Sequence, residues 1–365
     1  MSWHSNHQLS MKLYIRSTGN ISPQPSFGTS ALPAEPTEYS GNRLRCIEPV
    51  YANFIDAKLI RRMSRVIRMG VTAALECMRQ GGVSIPDGII TGTAYGCMED
   101  TEVFLSRMVE NKEELLTPTA FIQSTHNTVG AQIALQLKCH QYNNTFVHRG
   151  LSFESALLDA YMLLQEKNME HILVGAVDEI TDTSHSLLQR FGLYKSALPS
   201  NLALFENHSR GTLNGEGAAF FLLSGDAGSH SLAVLEDMQT FCNPEGPGGM
   251  EAHIVSFLET HALAMQDIDL VITGRNGDPR SDKLYDRLDH QLFQPLPAIP
   301  FKHLCGEYPT GSAFAVWLAA MLLSKGSAPA WLLAGRQAPT QTLHRILICN
   351  HYLQRYHSLF LLSAC

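Results

Sequence analysis

Asn143–Glu179, NNTFVHRGLSFESALLDAYMLLQEKNMEHILVGAVDE, decides the fold of this chain. It reads as strand, sharp turn, long helix and strand. Thr145, Phe146 and Val147 are β-branched or aromatic and extend a short strand. Gly150 sits at the break, where a chain turning into a helix often needs a residue without Cβ. Ser152 is the expected N-cap of a helix whose apolar residues, from Phe153 through Ala156, Leu157 and Ala160 to Leu164, recur at helical spacing. His171–Val177 then reads as a buried strand ending in Gly-Ala-Val-Asp-Glu. Corners of this kind present a nucleophile at a helix N-terminus, where free N–H groups and the dipole favour an anion.

Outward from the corner, the N-terminal side begins with KLYIRSTGNIS, Lys12–Ser22, which reads as an edge strand with a Gly-Asn turn. Residues 23–42 are rich in Pro, Gly, Ser and Thr and predict an irregular surface crossing. Asp56–Gln80 predicts one helix, with Arg61, Arg62, Arg65 and Arg68 mostly on its solvated face. Ile89–Thr91 predicts a buried strand, GTAYG a tight turn, and Met98–Glu110 a helix. A Pro-bounded loop then leads to a second helix from Thr128, with His126 hydrogen-bonded in the wall before it. Asn243–Gly249, NPEGPGG, is a loop. Beyond it the order begins to repeat: GIITGTAYG matches DLVITGRNG, and the helix start at Thr128 matches that at Thr310. Two related halves, 11–225 and 226–365, are expected, preceded by a disordered extension over 1–10.

These stretches together resemble the β-ketoacyl synthases, condensing enzymes of the thiolase superfamily. Those carry a Thr-Ala-Cys-x-Ser-type run at the corner, and ILVGAVDE and ALLDA fit the strand and helix that follow it. Counting back from them puts Gly150 on the cysteine; a gap-free count from Glu179 gives Leu151. ITGRNGDPRSDKLYDRL resembles the His-Gly-Thr-x-Thr-Pro-x-x-Asp run. Pro279 and Asp282 hold its register, which puts Gly274 on the first histidine. IPFKHLCGEYPTGSAFA resembles the Lys-Ser-x-x-Gly-His run, with Lys302 and Gly306 kept and Glu307 on the second histidine. In ILICNHYLQRYHSLFLL, Asn350 and the closing strand survive, while Leu-Gln-Arg-Tyr replaces the Gly-Phe-Gly-Gly gate.

The resemblance implies a thiolase-like α/β fold, an αβαβα sandwich of two half-domains, and a dimer pairing through the strand at 144–147. It also implies that the thiolate and both imidazoles of condensation chemistry are missing, and a carboxylate at Glu307 would repel a developing enolate. The expected role is therefore a chain-length-factor-type subunit, inactive alone. Its partners would be an active ketosynthase or a second copy, and an acyl carrier protein, in polyketide, aryl-polyene or fatty-acid-like biosynthesis. The alternatives are acyl transfer or hydrolysis with Ser152, flanked by His148 and Glu154, or with Cys305, which lies beside Glu307, and a homodimer that binds an acyl chain or acyl carrier protein. GLSFE lacks the second glycine of GxSxG, so Ser152 reads first as a cap, and Cys305 as a small buried hydrophobe.

Composition narrows the remaining classes. A formal charge of -7 and a pI near 6.1 argue against a nucleic-acid footprint. Eight cysteines without a CxxC pair, and sixteen histidines without HxxxH or HExxH, point to no metal site, no disulfide framework and no bound cofactor. No run of about 18 apolar residues predicts a membrane span. Reduced thiols and an opening MSWHSNHQLS without signal-peptide character make the cytoplasm the expected compartment.

Overall fold

A computed structural model describes residues 12–114, 116, 118–228, 230–244, 249–333 and 342–365. The extension expected over 1–10 and most of the NPEGPGG loop lie outside these residues.

Ten strands carry the fold: β1 (Leu13–Ile21), β2 (Gly88–Gly92), β3 (Tyr142–Phe146), β4 (Ile172–Asp178) and β5 (Gly217–Ser224), then β6 (Ala233–Cys242), β7 (Leu270–Thr273), β8 (Ala298–Pro300), β9 (Arg345–Tyr352) and β10 (Tyr356–Ser363). They form one mixed sheet in the order β8-β7-β9-β10-β6-β1-β5-β4-β2-β3. Cut between β6 and β1, it falls into two five-stranded units. In each, the third strand of that half lies outermost, followed by its second, fourth, fifth and first. In each, the fifth strand runs antiparallel to both neighbours and the other inner pairs are parallel. The seam is short: Leu13, Tyr14 and Ile15 pair with Leu235, Val234 and Ala233.

Period-two alternation on the strands sorts side chains into layers. Ile172, Val174 and Ala176 of β4, and Ile346 and Ile348 of β9, face one central core. Helices α4 (Ser152–Gln165) and α8 (Ser312–Lys325) fill it. Residues 312–323 are all buried, as expected of a helix apolar on every side. Leu173 and Val177 point the other way, onto α1 (Arg65–Gly81) and the later α3 (Thr128–Leu137). Leu347 and Cys349 likewise face α6 (Gly249–Glu259) and α7 (Pro279–Leu288). Between these lie α2 (Met98–Glu110) and α5 (Asp182–Arg190).

Four expectations change. Lys12–Ser22 is no edge strand: β1 lies mid-sheet between β5 and β6, and Gly19 is inside it. Helix α1 packs so closely there that a Cβ on Gly19 would stand 1.9 Å from the Ala73 carbonyl oxygen. The helix expected over Asp56–Gln80 is broken into a single turn, Ala57–Ile60, and α1. At the start of α1 the Arg65 guanidinium is turned inward, giving two hydrogen bonds to buried Glu216 at 2.5 and 2.6 Å. Arg65 is thus no part of a solvated face; it neutralises a carboxylate that is fully buried. Finally, the repeat pairs the helices differently. β2 and β7 are both second strands, as ITG against ITG implied, but the counterpart of α8 is α4, since both join third to fourth strand. The counterpart of α3 is α7.

Candidate functional site at the end of strand β9

The corner begins where β3 leaves the sheet. Arg149 takes a left-handed φ of 53°, and a 3-10 turn, Arg149–Leu151, leads into α4. Ser152 is the first helical residue rather than the N-cap. Its hydroxyl still ties the turn, accepting from the His148 N–H (2.9 Å) and donating to the Arg149 carbonyl (2.8 Å). That donation leaves the hydroxyl hydrogen engaged, and the His148 ring pairs with Ser155 at 2.8 Å, not with Ser152. No base is poised on Ser152, so the structure does not assemble the hydrolase-like elbow.

Gly150 is buried under a different element. A Cβ placed on it would lie 2.7 Å from Tyr352 Cβ and 2.8 Å from Cδ1, at the end of β9. The same strand end touches the other two positions. Gly274 donates its N–H to the Cys349 carbonyl (2.8 Å), and a Cβ there would stand 2.5 Å from Asn350 Oδ1 and 2.7 Å from the Tyr285 hydroxyl. Lys302 donates to the His351 carbonyl (2.5 Å) and to both carboxylate oxygens of Glu307 (2.8 and 2.9 Å). Asn276 Nδ2 completes the Glu307 carboxylate at 2.7 Å. Cys349–Tyr352 therefore gathers Gly150, Gly274 and Glu307 around one strand end. Lys302 and Glu307 are both buried, so the charge is balanced inside the protein rather than by water.

The other candidates fall outside this constellation or are chemically quiet. Cys305 is fully buried, and burial pushes its thiol well above the ordinary range, with Lys302 opposing and Glu307 reinforcing. It behaves as a core residue, not a reactive thiol. His126 is exposed beside the Gly96 turn, not enclosed in a wall. Leu151 lies within the 3-10 turn, where its side chain is apolar. Glu154, one turn into α4, is a surprise: it is 1% exposed and neither carboxylate oxygen has a hydrogen-bond partner. Burial pushes its pKa up to about 7, tempered by the Ser312 and Ser358 hydroxyls nearby. Among the described residues no group of three His, Cys, Asp or Glu side chains could hold a metal ion.

Tyr352 and Asn276 were not legible as site residues. The one signal for Tyr352 was an aromatic residue two places after Asn350, just before the altered gate.

Residues 40–215 match the family described as β-ketoacyl synthase, N-terminal domain. Over that stretch the chain is similar to this family. No curated protein matches it in sequence. Among solved structures the chain is similar to the ishigamide ketosynthase/chain length factor, at 15% identity and a TM-score of 0.77, covering 97% of this chain and 99% of that one. It is similar to a ketosynthase in complex with its chain length factor from Xenorhabdus doucetiae, at 16% identity and 0.76, covering 99% and 100%. A third is the acyl-carrier protein of a type II polyketide synthase in complex with its ketosynthase bound to the hexaketide, at 13% and 0.76, covering 97% and 100%. The fold of the described residues is thus thiolase-like. No helix among those residues is long and apolar enough to cross a membrane.

Proposed function

We propose that this chain is the non-condensing, chain-length-factor-type partner of an active ketosynthase in polyketide, aryl-polyene or fatty-acid-like biosynthesis. The observation that carries the reading is the strand end of β9, which gathers Gly150, Gly274 and Glu307 with neither thiol nor imidazole at those three positions. In this reading they stand where the condensing cysteine and two histidines would be. Glu307, already neutralised by Lys302, has no hydrogen-bond donor to offer an enolate. The relatives in fold include ketosynthase and chain-length-factor complexes and a ketosynthase with its acyl-carrier protein, which supports the same partners here.

A surface for the partner is available. Among the described residues strand β3 pairs only with β2, which leaves its outer edge unpaired among them. Val147, Leu158 and Met162 are exposed on the same corner and its helix. A homologous ketosynthase is the occupant this reading favours, with a second copy as the alternative. The halves 11–225 and 226–365 act in it as one subunit, and its eight free thiols suit the cytoplasm.

The test is co-expression with a candidate ketosynthase, followed by size-exclusion chromatography and native mass measurement. A one-to-one complex lost on Val147→Asp is expected. A chain that stays unpartnered and takes up a stoichiometric acyl group from an acyl thioester overturns the proposal.

A further inference from the structure

The turn joining β9 to β10 closes the Gly150 corner, and it is held in place. Tyr352 is 6% exposed. Besides Cβ and Cδ1, its Cγ would lie 3.1 Å from a Cβ on Gly150. Tyr352 Cβ is fixed by its own backbone, so no rotamer change relieves that approach. Leu353 and Gln354, in the three-residue loop between paired Tyr352 and Tyr356, both take left-handed φ values, 53° and 56°, as the central pair of a tight turn. Around them the backbone is pinned: Arg355 N–H donates to the Tyr352 carbonyl (3.2 Å) and Asn243 N–H to the Arg355 carbonyl (2.9 Å). The His351 ring accepts from the Gln354 N–H (3.3 Å), and the His357 ring pairs with the Gln354 carbonyl (3.0 Å). Lys302 holds the His351 carbonyl from below. This is a fixed element, not a swinging one.

We propose that Tyr352 is a built-in plug, its side chain occupying the space at the start of α4 that a side chain at position 150, and any group attached to it, would need. The inference rests on reading Gly150 as the nucleophile's position and goes beyond it. That reading says the corner has no thiol; the plug says a thiol placed there would have no room. Gly150 and Tyr352 are then one coupled replacement, and neither can be reversed alone. Removing the ring leaves a cavity of its own shape, with Tyr95 and Tyr194 near the place of its hydroxyl, fit for a small phenol.

The test uses the full chain carrying Gly150→Cys, Tyr352→Gly, or both. Iodoacetamide labelling is mapped by peptide, because Cys242 and Cys365 are exposed and also react. Gly150→Cys alone is expected to lower the thermal midpoint by roughly 3 °C or more. In the Tyr352→Gly background it should cost nothing further, and the introduced thiol should label at least about tenfold faster than in the single variant. Equal labelling in both backgrounds, without a midpoint loss, overturns the plug. Should Gly150→Cys not fold, 4-methylphenol gives a second reading. It should raise the midpoint of Tyr352→Gly and leave the unmodified chain unmoved; no rise in either counts against the plug. Hexanoyl-CoA separates the two ideas. A double variant labelled by iodoacetamide but never acylated leaves the plug standing and removes the nucleophile-corner reading. One that reacts with neither reagent overturns the plug.

Discussion

The two central helices start at the same place in a repeated strand order, between third and fourth strand, yet their starts are built from opposite materials. Helix α4 begins beneath an aromatic ring, with Gly150 making way for Tyr352. Helix α8 begins beyond a buried ion pair, with Glu307 held by Lys302 and Asn276. One start is secured by shape, the other by charge balance. The difference predicts how each tolerates change: the α8 side should fail steeply when one partner is lost, the α4 side gradually as volume or hydrogen bonds are altered.

The steepest effect should come from Lys302→Met, which strands the Glu307 carboxylate and should cost roughly 3–5 kcal/mol in urea unfolding. Lys302→Met with Glu307→Leu should recover most of that loss. A single variant that loses less than about 1 kcal/mol would mean that water, not lysine, balances the carboxylate. Next comes Glu154 on the α4 side. Its folded-state pKa of about 7 is raised above the ordinary 4.5. An acid of this kind binds its proton more tightly folded than unfolded. Its stabilising effect is whole below about pH 4.5 and is lost as pH rises towards 7. Glu154→Gln should therefore match the parent at pH 4.5 and exceed it by roughly 2–3 kcal/mol at pH 8. Asp178, raised to about 6, titrates in the same window, so the parent-minus-variant difference is the quantity to follow. An unchanged difference across that range would show that Glu154 is solvated. The mildest effect belongs to Ser152→Ala, which removes the hydroxyl bridging His148 and Arg149 and should cost about 1 kcal/mol. A loss of several kcal/mol there would erase the contrast between the two helix starts.

Much of this was legible because it rests on local pattern. The alternation in ILVGAVD and the helical spacing after Phe153 specify a strand and a helix whatever surrounds them. The misreadings share one cause, since each depended on a distant partner. Gly19-Asn20 looked like a turn because the close approach of α1 is invisible in nine residues of strand. Arg65 looked solvated because Glu216 is far away in sequence. Thr128 and Thr310 looked alike because small-residue helix starts are similar, and only strand order separates them. The resemblance led to Gly150, Gly274 and Glu307, but nothing local said that Tyr352 fills the space over the first of them.

The place of β1 bears on how the chain is made. Tyr14 pairs with Ser224 on one side and Val234 on the other, so β1 has no neighbour until the first of those has been synthesised and lacks its second until the other has. At ordinary translation rates of about 5–20 residues per second that is a wait of roughly 10–40 s. Through that interval a strand destined for the middle of the sheet has nothing to pair with, and closing so long a loop is slow. A nascent chain stalled before residue 224 should be aggregation-prone or chaperone-bound, whereas one released beyond residue 242 has every strand needed to enclose its own beginning.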